Sequence, residues 1–67
     1  MKLCERLKEL RNEKHISQVE LAKQTGLSKS AIARWELGLT EPTATALTKL
    51  SEYYGVTVDF LLGLTDY

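Results

Sequence analysis

Residues 18–36 read QVELAKQTGLSKSAIARWE, and this stretch decides the fold. It divides at Thr25-Gly26-Leu27 into two short helical segments joined by a tight turn, with Gly26 free to take the positive φ that a sharp turn needs. On the second segment, residues 28–36, successive side chains advance by about 100°. Lys29, Ser30, Ala33 and Arg34 then share one sector of roughly 140°, and Ala31, Ile32 and Trp35 lie opposite. One face anchors the helix. The other offers two cations, a hydroxyl and a methyl, groups suited to the edges of DNA bases in the major groove.

Upstream, Ser17-Gln18-Val19-Glu20 has the form of a capping box: the serine oxygen accepts from the amide three residues on, and Glu20 reaches back to the serine amide. Ile16 ahead of the cap and Leu21 inside the helix form a hydrophobic staple. Leu3, Leu7 and Leu10 recur at helical spacing and predict a first helix over residues 2–14, with Arg6 able to reach Glu9 and the flank of Leu10. His15 stands where that helix should stop, and histidine tolerates the left-handed conformation such a stop uses.

Downstream, Pro42 and Thr43 open a fourth helix that carries Leu47, Leu50 and Tyr54 inward and ends at Gly55. Thr57 caps a short fifth helix with Asp59 in its first turn, and Val58, Leu61 and Leu62 are expected to close the core. Phe60, Leu64, Tyr53 and Tyr67 find no evident place inside so small a domain, and apolar groups of this kind often mark an interface.

The chain has 67 residues, enough for one domain spanning 1–67 and near the lower limit at which a single core holds without staples. The lone Cys4 forms no internal disulfide, which suits a reducing compartment, and no apolar run or signal pattern suggests a membrane or export, so a cytoplasmic location is expected. Cys4 and His15 are too few for a metal site. No catalytic set of acids, no Ser/His/Asp constellation and no glycine-rich phosphate cradle occurs, so neither an enzyme nor a cofactor is expected. The net charge is zero, but it is unevenly spread. Residues 1–35 carry eight cations against four acids, a balance of +4, and residues 36–67 carry only Lys49 against five acids, a balance of −4. That polarity would turn the basic half toward phosphates.

SQVELAKQTGLSKSAIARWELG followed by EPTATALTKLSEYYGVTVDFLLG resembles the Cro/lambda-repressor-like helix-turn-helix family, also called the XRE family, over residues 3–63. The resemblance implies an all-α fold: a compact five-helix bundle, the lambda-repressor-like DNA-binding domain, with its helix-turn-helix at about residues 17–36. It implies double-stranded operator DNA as the partner, bound in the major groove by a homodimer, without membrane or small-molecule substrate. Lys29, Ser30, Ala33 and Arg34 fall at the family's base-reading positions, which agrees with the face drawn from helical geometry. Arg34 and Lys29 are candidates for guanine O6 and N7, and the Ala33 methyl for thymine. Gln18 matches the glutamine that grips a backbone phosphate, and Ser28 and the Thr40 hydroxyl are further phosphate candidates. Arg11 and Glu36 match a salt bridge that aims the recognition helix. Helix five is a region through which relatives dimerise, and this points to Tyr53, Phe60 and Leu64.

Two departures stand out. The loop Leu39-Thr40-Glu41-Pro42 has no cation where many relatives hold lysines and arginines against the DNA backbone. Val19 takes a position that is usually polar, leaving open a chance exposed apolar residue or a contact with DNA or with a partner. The leading expectation is a sequence-specific transcriptional regulator, a repressor on a pseudo-palindromic operator. The alternative is an antitoxin or adaptor module that keeps the bundle but acts mainly through protein contacts.

Overall fold

The computed structural model describes residues 2–66, with side chains from residue 3 onward. Leu3 and Leu7 are buried and Leu10 half-buried on one side of α1 (Lys2–Glu13), which stops one residue short of the expected end because Lys14 already belongs to the terminating turn. His15 makes that turn at φ 57°. The amides of His15 and Ile16 donate back to the carbonyls of Asn12 and Arg11 at 3.0 and 3.4 Å, which satisfies the helix end and folds Ile16 onto the core.

The next helices, α2 (Gln18–Thr25), α3 (Lys29–Glu36), α4 (Ala44–Tyr54) and α5 (Val58–Leu61), each start on a hydroxyl. Ser17, Ser28, Thr43 and Thr57 accept from the amides of Glu20, Ala31, Ala46 and Phe60 at 3.0, 3.3, 3.1 and 3.0 Å. Each such cap is worth about 1 kcal/mol. The expected return contact of Glu20 is replaced by one farther along the helix: its carboxylate accepts from Gln24 Nε2 at 2.7 Å. Between α2 and α3, Gly26 turns the chain at φ 75° and its amide donates to the Ala22 carbonyl at 2.8 Å. Ala22 and Ala31, both half-buried, allow the two helices to approach closely.

α1 packs on α3 and α5, and α2 on α3 and α4, around a core of Leu3, Leu7, Leu21, Ile32, Trp35, Ala46, Leu50 and Leu61. Among the described residues no helix is long and apolar enough to cross a membrane. At the C-terminal end the expectation needs correction: Leu61 is fully buried, but Val58 is only half-buried and Leu62 is 39% exposed. A helix of four residues has a single turn and therefore room for one wholly inward side chain.

Two of the aromatic residues without an evident interior place are covered in part by cations. The Arg6 guanidinium lies 4.0 Å from the centre of the Phe60 ring, joining α1 to α5 instead of bridging within α1, and Lys14 Nζ lies 4.7 Å from that of Tyr53. Tyr53 also meets Tyr54 edge to face at 5.1 Å. Both Phe60 and Tyr53 are half-buried, whereas Leu64 is 73% exposed. Tyr67 lies outside the described residues.

Residues 37–41 and 62–66 repeat one pattern, Leu-Gly-Leu-Thr followed by an acid. Each copy ends a helix in the same way. Gly38 and Gly63 take φ 76° and 78°, and the amides of Leu39 and Leu64 reach back to the carbonyls of Arg34 and Asp59 at 3.0 and 2.9 Å. The flanking leucines Leu37, Leu39, Leu62 and Leu64 are all exposed, in contrast to Ile16, which occupies the equivalent place after α1 and packs inward. At Gly38 a side chain is disfavoured by the φ of 76°, and a Cβ there would also stand close against Cys4 Sγ, at 3.4 Å.

Leu61 tests how far this bundle depends on its shortest helix. Leu61→Ala should cost roughly 3 kcal/mol through lost burial and the cavity left behind, a large part of the stability of so small a domain. Thermal unfolding followed by circular dichroism should show a much lower midpoint.

Candidate nucleic-acid interface

The outward face of α3 is built by its inward face. Ile32 and Trp35 are buried and Ala31 half-buried, so Lys29, Ser30 and Arg34 are left exposed, with Ala33 half-buried between them. The base-reading set proposed from helical geometry therefore shares one accessible surface. Among the described residues no carboxylate pairs with Lys29 or Arg34. At the helix start, Ser28 Oγ caps the helix and lies 2.9 Å from Ser30 Oγ, so the two hydroxyls form one small polar cluster beside Lys29. Thr40 is exposed in the loop that follows.

The far end of α3 is held differently. Glu36 is only 6% exposed, and its carboxylate meets Arg11 in a two-pronged contact, Nε to Oε2 at 2.7 Å and Nη2 to Oε1 at 2.9 Å. Arg11 Nη1 donates to the Ile16 carbonyl at 2.8 Å, so the same guanidinium fastens the link between α1 and α2. The salt bridge implied by the family resemblance is present, with its carboxylate end almost fully enclosed. Hydrogen bonding to Glu36 holds the guanidinium pKa above its usual value, against the opposing effect of burial.

Two members of this cluster were not foreseen from the sequence. Gln18 Nε2 donates to Glu36 Oε1 at 3.2 Å, so the half-buried amide expected to face a phosphate is tied inward as well. Tyr54, from α4, brings its hydroxyl to the same region, where the oxygen is buried and has no hydrogen-bond partner among the described residues. Burial pushes its pKa up to about 12, and the nearby Glu36 charge adds to the effect. The helical period of α4 placed Tyr54 in the core, but nothing local in the sequence marked it as a neighbour of Glu36.

Arg11→Met should leave the Glu36 carboxylate enclosed without its counter-ion and cost roughly 3 kcal/mol, read as a lower denaturant midpoint at unchanged slope. Tyr54 makes a separate prediction. Its folded pKa of about 12 lies above the ordinary 10.0, so the folded state holds the proton more tightly, and the stability linked to it is complete below pH 10 and lost as pH rises toward 12. Melting curves of Tyr54→Phe should therefore fall less steeply than those of the unsubstituted chain between pH 10 and 12.

A family model described as Helix-turn-helix matches residues 7–61. The structure superposes with a TM-score of 0.84 on the P22 c2 repressor protein solved in complex with synthetic operator 9T, at 34% identity, covering 91% of this chain and 92% of that one. Among curated relatives, the SPbeta prophage-derived uncharacterized HTH-type transcriptional regulator YonR of Bacillus subtilis is 43% identical over 87% of this chain and 54% of its own length. The HTH-type transcriptional activator BcrR of Enterococcus faecalis is 39% identical over 92% of this chain and 30% of its own length. The chain thus spans about half or less of these curated relatives. With the bundle, the turn and the anchored third helix matched together, the chain belongs to the Cro/lambda-repressor-like, or XRE, family of helix-turn-helix proteins.

Proposed function

We propose that residues 1–67 act as the sequence-specific DNA-binding domain of a cytoplasmic transcriptional repressor, which binds a pseudo-palindromic operator as a homodimer. The observation that carries this reading is the division of α3 into a buried apolar face and an exposed face of Lys29, Ser30 and Arg34. Its support is the likeness to a repressor solved on operator DNA. Arg34 and Lys29 donate to guanine edges, Ser30 to a base or phosphate, and the Ala33 methyl meets thymine. Ser28 and Thr40 hold the backbone, and these contacts set register without reading sequence. Two recognition helices spaced by about one turn of duplex, roughly 34 Å, would engage the two half-sites.

The loop after α3 bears on affinity. With Leu39, Thr40 and Glu41 exposed and no cation among them, the Thr40 hydroxyl remains as a phosphate contact but the cationic contacts that a basic relative would make there are missing. Binding is then weaker and depends more on pairing of two copies, in which the exposed Leu64 contributes contact area alongside the edges of Phe60 and Tyr53. A second reading, an antitoxin or adaptor acting through protein contacts, draws on the same exposed leucines together with Val19, which is 50% exposed on α2.

A selected operator separates these readings. Duplexes enriched from a random pool at fixed salt should be bound with a falling log affinity against log salt, by about 0.9 per phosphate neutralised, whereas an adaptor making no phosphate contacts would give a flat line. Arg34→Ala should reduce preference for the operator over single-base variants by about 1–3 kcal/mol. Intact preference in that variant would remove Arg34 from the reading face.

A further inference from the structure

We infer that Gln18 determines specificity by positioning: through Glu36 it fixes the angle at which α3 is presented, so that its loss blurs discrimination between sequences more than it weakens binding to all of them. The inference rests on the reading of α3 as the recognition helix. It differs from the expected role of a phosphate grip, which would affect every sequence alike.

The chemistry of the carboxamide limits what Gln18 can give a phosphate. It has one carbonyl oxygen, which cannot bond an anionic acceptor, and two N–H donors on one nitrogen. The structure directs Nε2 at Glu36 Oε1, 3.2 Å away, which leaves one neutral donor for the DNA backbone. No cation is involved, so a phosphate contact from Gln18 adds nothing to counter-ion release. The inward contact has the longer reach. Gln18 is the first residue of α2 and Glu36 the last of α3, so their contact ties the two helices of the motif end to end.

The length of α3 shows why this matters. At 1.5 Å rise per residue, Lys29 lies about 10 Å from Glu36 along the axis. A swing of ~10° about the Glu36 end therefore moves the Lys29 backbone by ~2 Å. Hydrogen bonds to base edges work within about half an ångström of donor–acceptor distance, so such a swing abolishes them while long, flexible cations still find phosphates. Arg11 alone does not fix the angle, because both its bonds to Glu36 come from one direction, from α1. Gln18 supplies the second direction, from α2, on the same Oε1 that receives Arg11 Nη2.

Gln18→Met tests this, since methionine keeps the length, the apolar stem and the helix propensity while removing both donors. Melting curves check that the variant is folded. Affinities are then measured for the selected operator, its single-base variants and a random duplex at one salt concentration. The expected result is a loss of about 5-fold in the ratio of operator to single-base variants, the worth of one hydrogen bond of about 1 kcal/mol, with affinity for random duplex changed by less than about 2-fold. In the free protein, the Arg11 Nε–H resonance should move, because the carboxylate it donates to has lost another donor. An equal loss on every duplex, with the ratio intact, overturns positioning in favour of a plain phosphate contact. An unmoved Arg11 resonance overturns the tie itself. Failure of the unsubstituted chain to select any duplex overturns the DNA-binding reading and this inference together.

Discussion

Glu36 is a carboxylate at the end of a helix where negative charge is least welcome. The last carbonyls of α3 already concentrate partial negative charge there, and the group is almost completely removed from water. It is tolerated because Arg11 meets both its oxygens and Gln18 adds a third donor. The rest of the structure is arranged around that requirement. The guanidinium also seals the turn after α1, the amide comes from the start of α2, and the Tyr54 hydroxyl from α4 lies alongside, so four helices meet at one carboxylate. An apolar residue in its place could be buried at less desolvation cost. What the charged cluster adds is direction, since ionic hydrogen bonds have preferred angles and hydrophobic contacts do not.

Much of this was legible in the sequence because the signals are local. A hydroxyl accepting from the amide three residues on, a glycine or histidine just past a helix, and an apolar stripe at 3.6-residue spacing are all contained within one or two turns. Ser17, Ser28, Thr43, Thr57, His15 and Gly26 behave as such signals predict. The outward face of α3 followed from the same periodicity. The Arg11–Glu36 contact, between residues 25 apart, came only through family resemblance. Arg6 on Phe60, Gln18 on Glu36 and Tyr54 near Glu36 are contacts between helices, and periodicity assigns each residue to a face of its own helix without pairing the faces. Leu62 was misplaced for a related reason, since its direction depends on where a four-residue helix stops.

The repeated Leu-Gly-Leu-Thr pattern shows how one local solution can have two uses. In both copies the left-handed glycine terminates a helix, and in both the leucines that usually fold back onto the preceding turn stay in water. After α3 the pattern occupies the loop beside the exposed polar face of that helix and sets apolar groups there. After α5 it places exposed leucines near the proposed pairing region. On the proposed reading, electrostatic attachment would be weakened at one end while apolar surface accumulates, and affinity for DNA would become linked to association of the protein.

Trp35 gives the anchored helix an optical property. It is the only tryptophan in the sequence, it lies on α3 itself, and its ring borders the same small cavity as Glu36 and Tyr54. Indole emission responds to nearby charge and to water, so the tryptophan fluorescence of this chain comes from the point where α3 is fixed. The molecule carries an intrinsic probe whose colour and quenching register how α3 is seated.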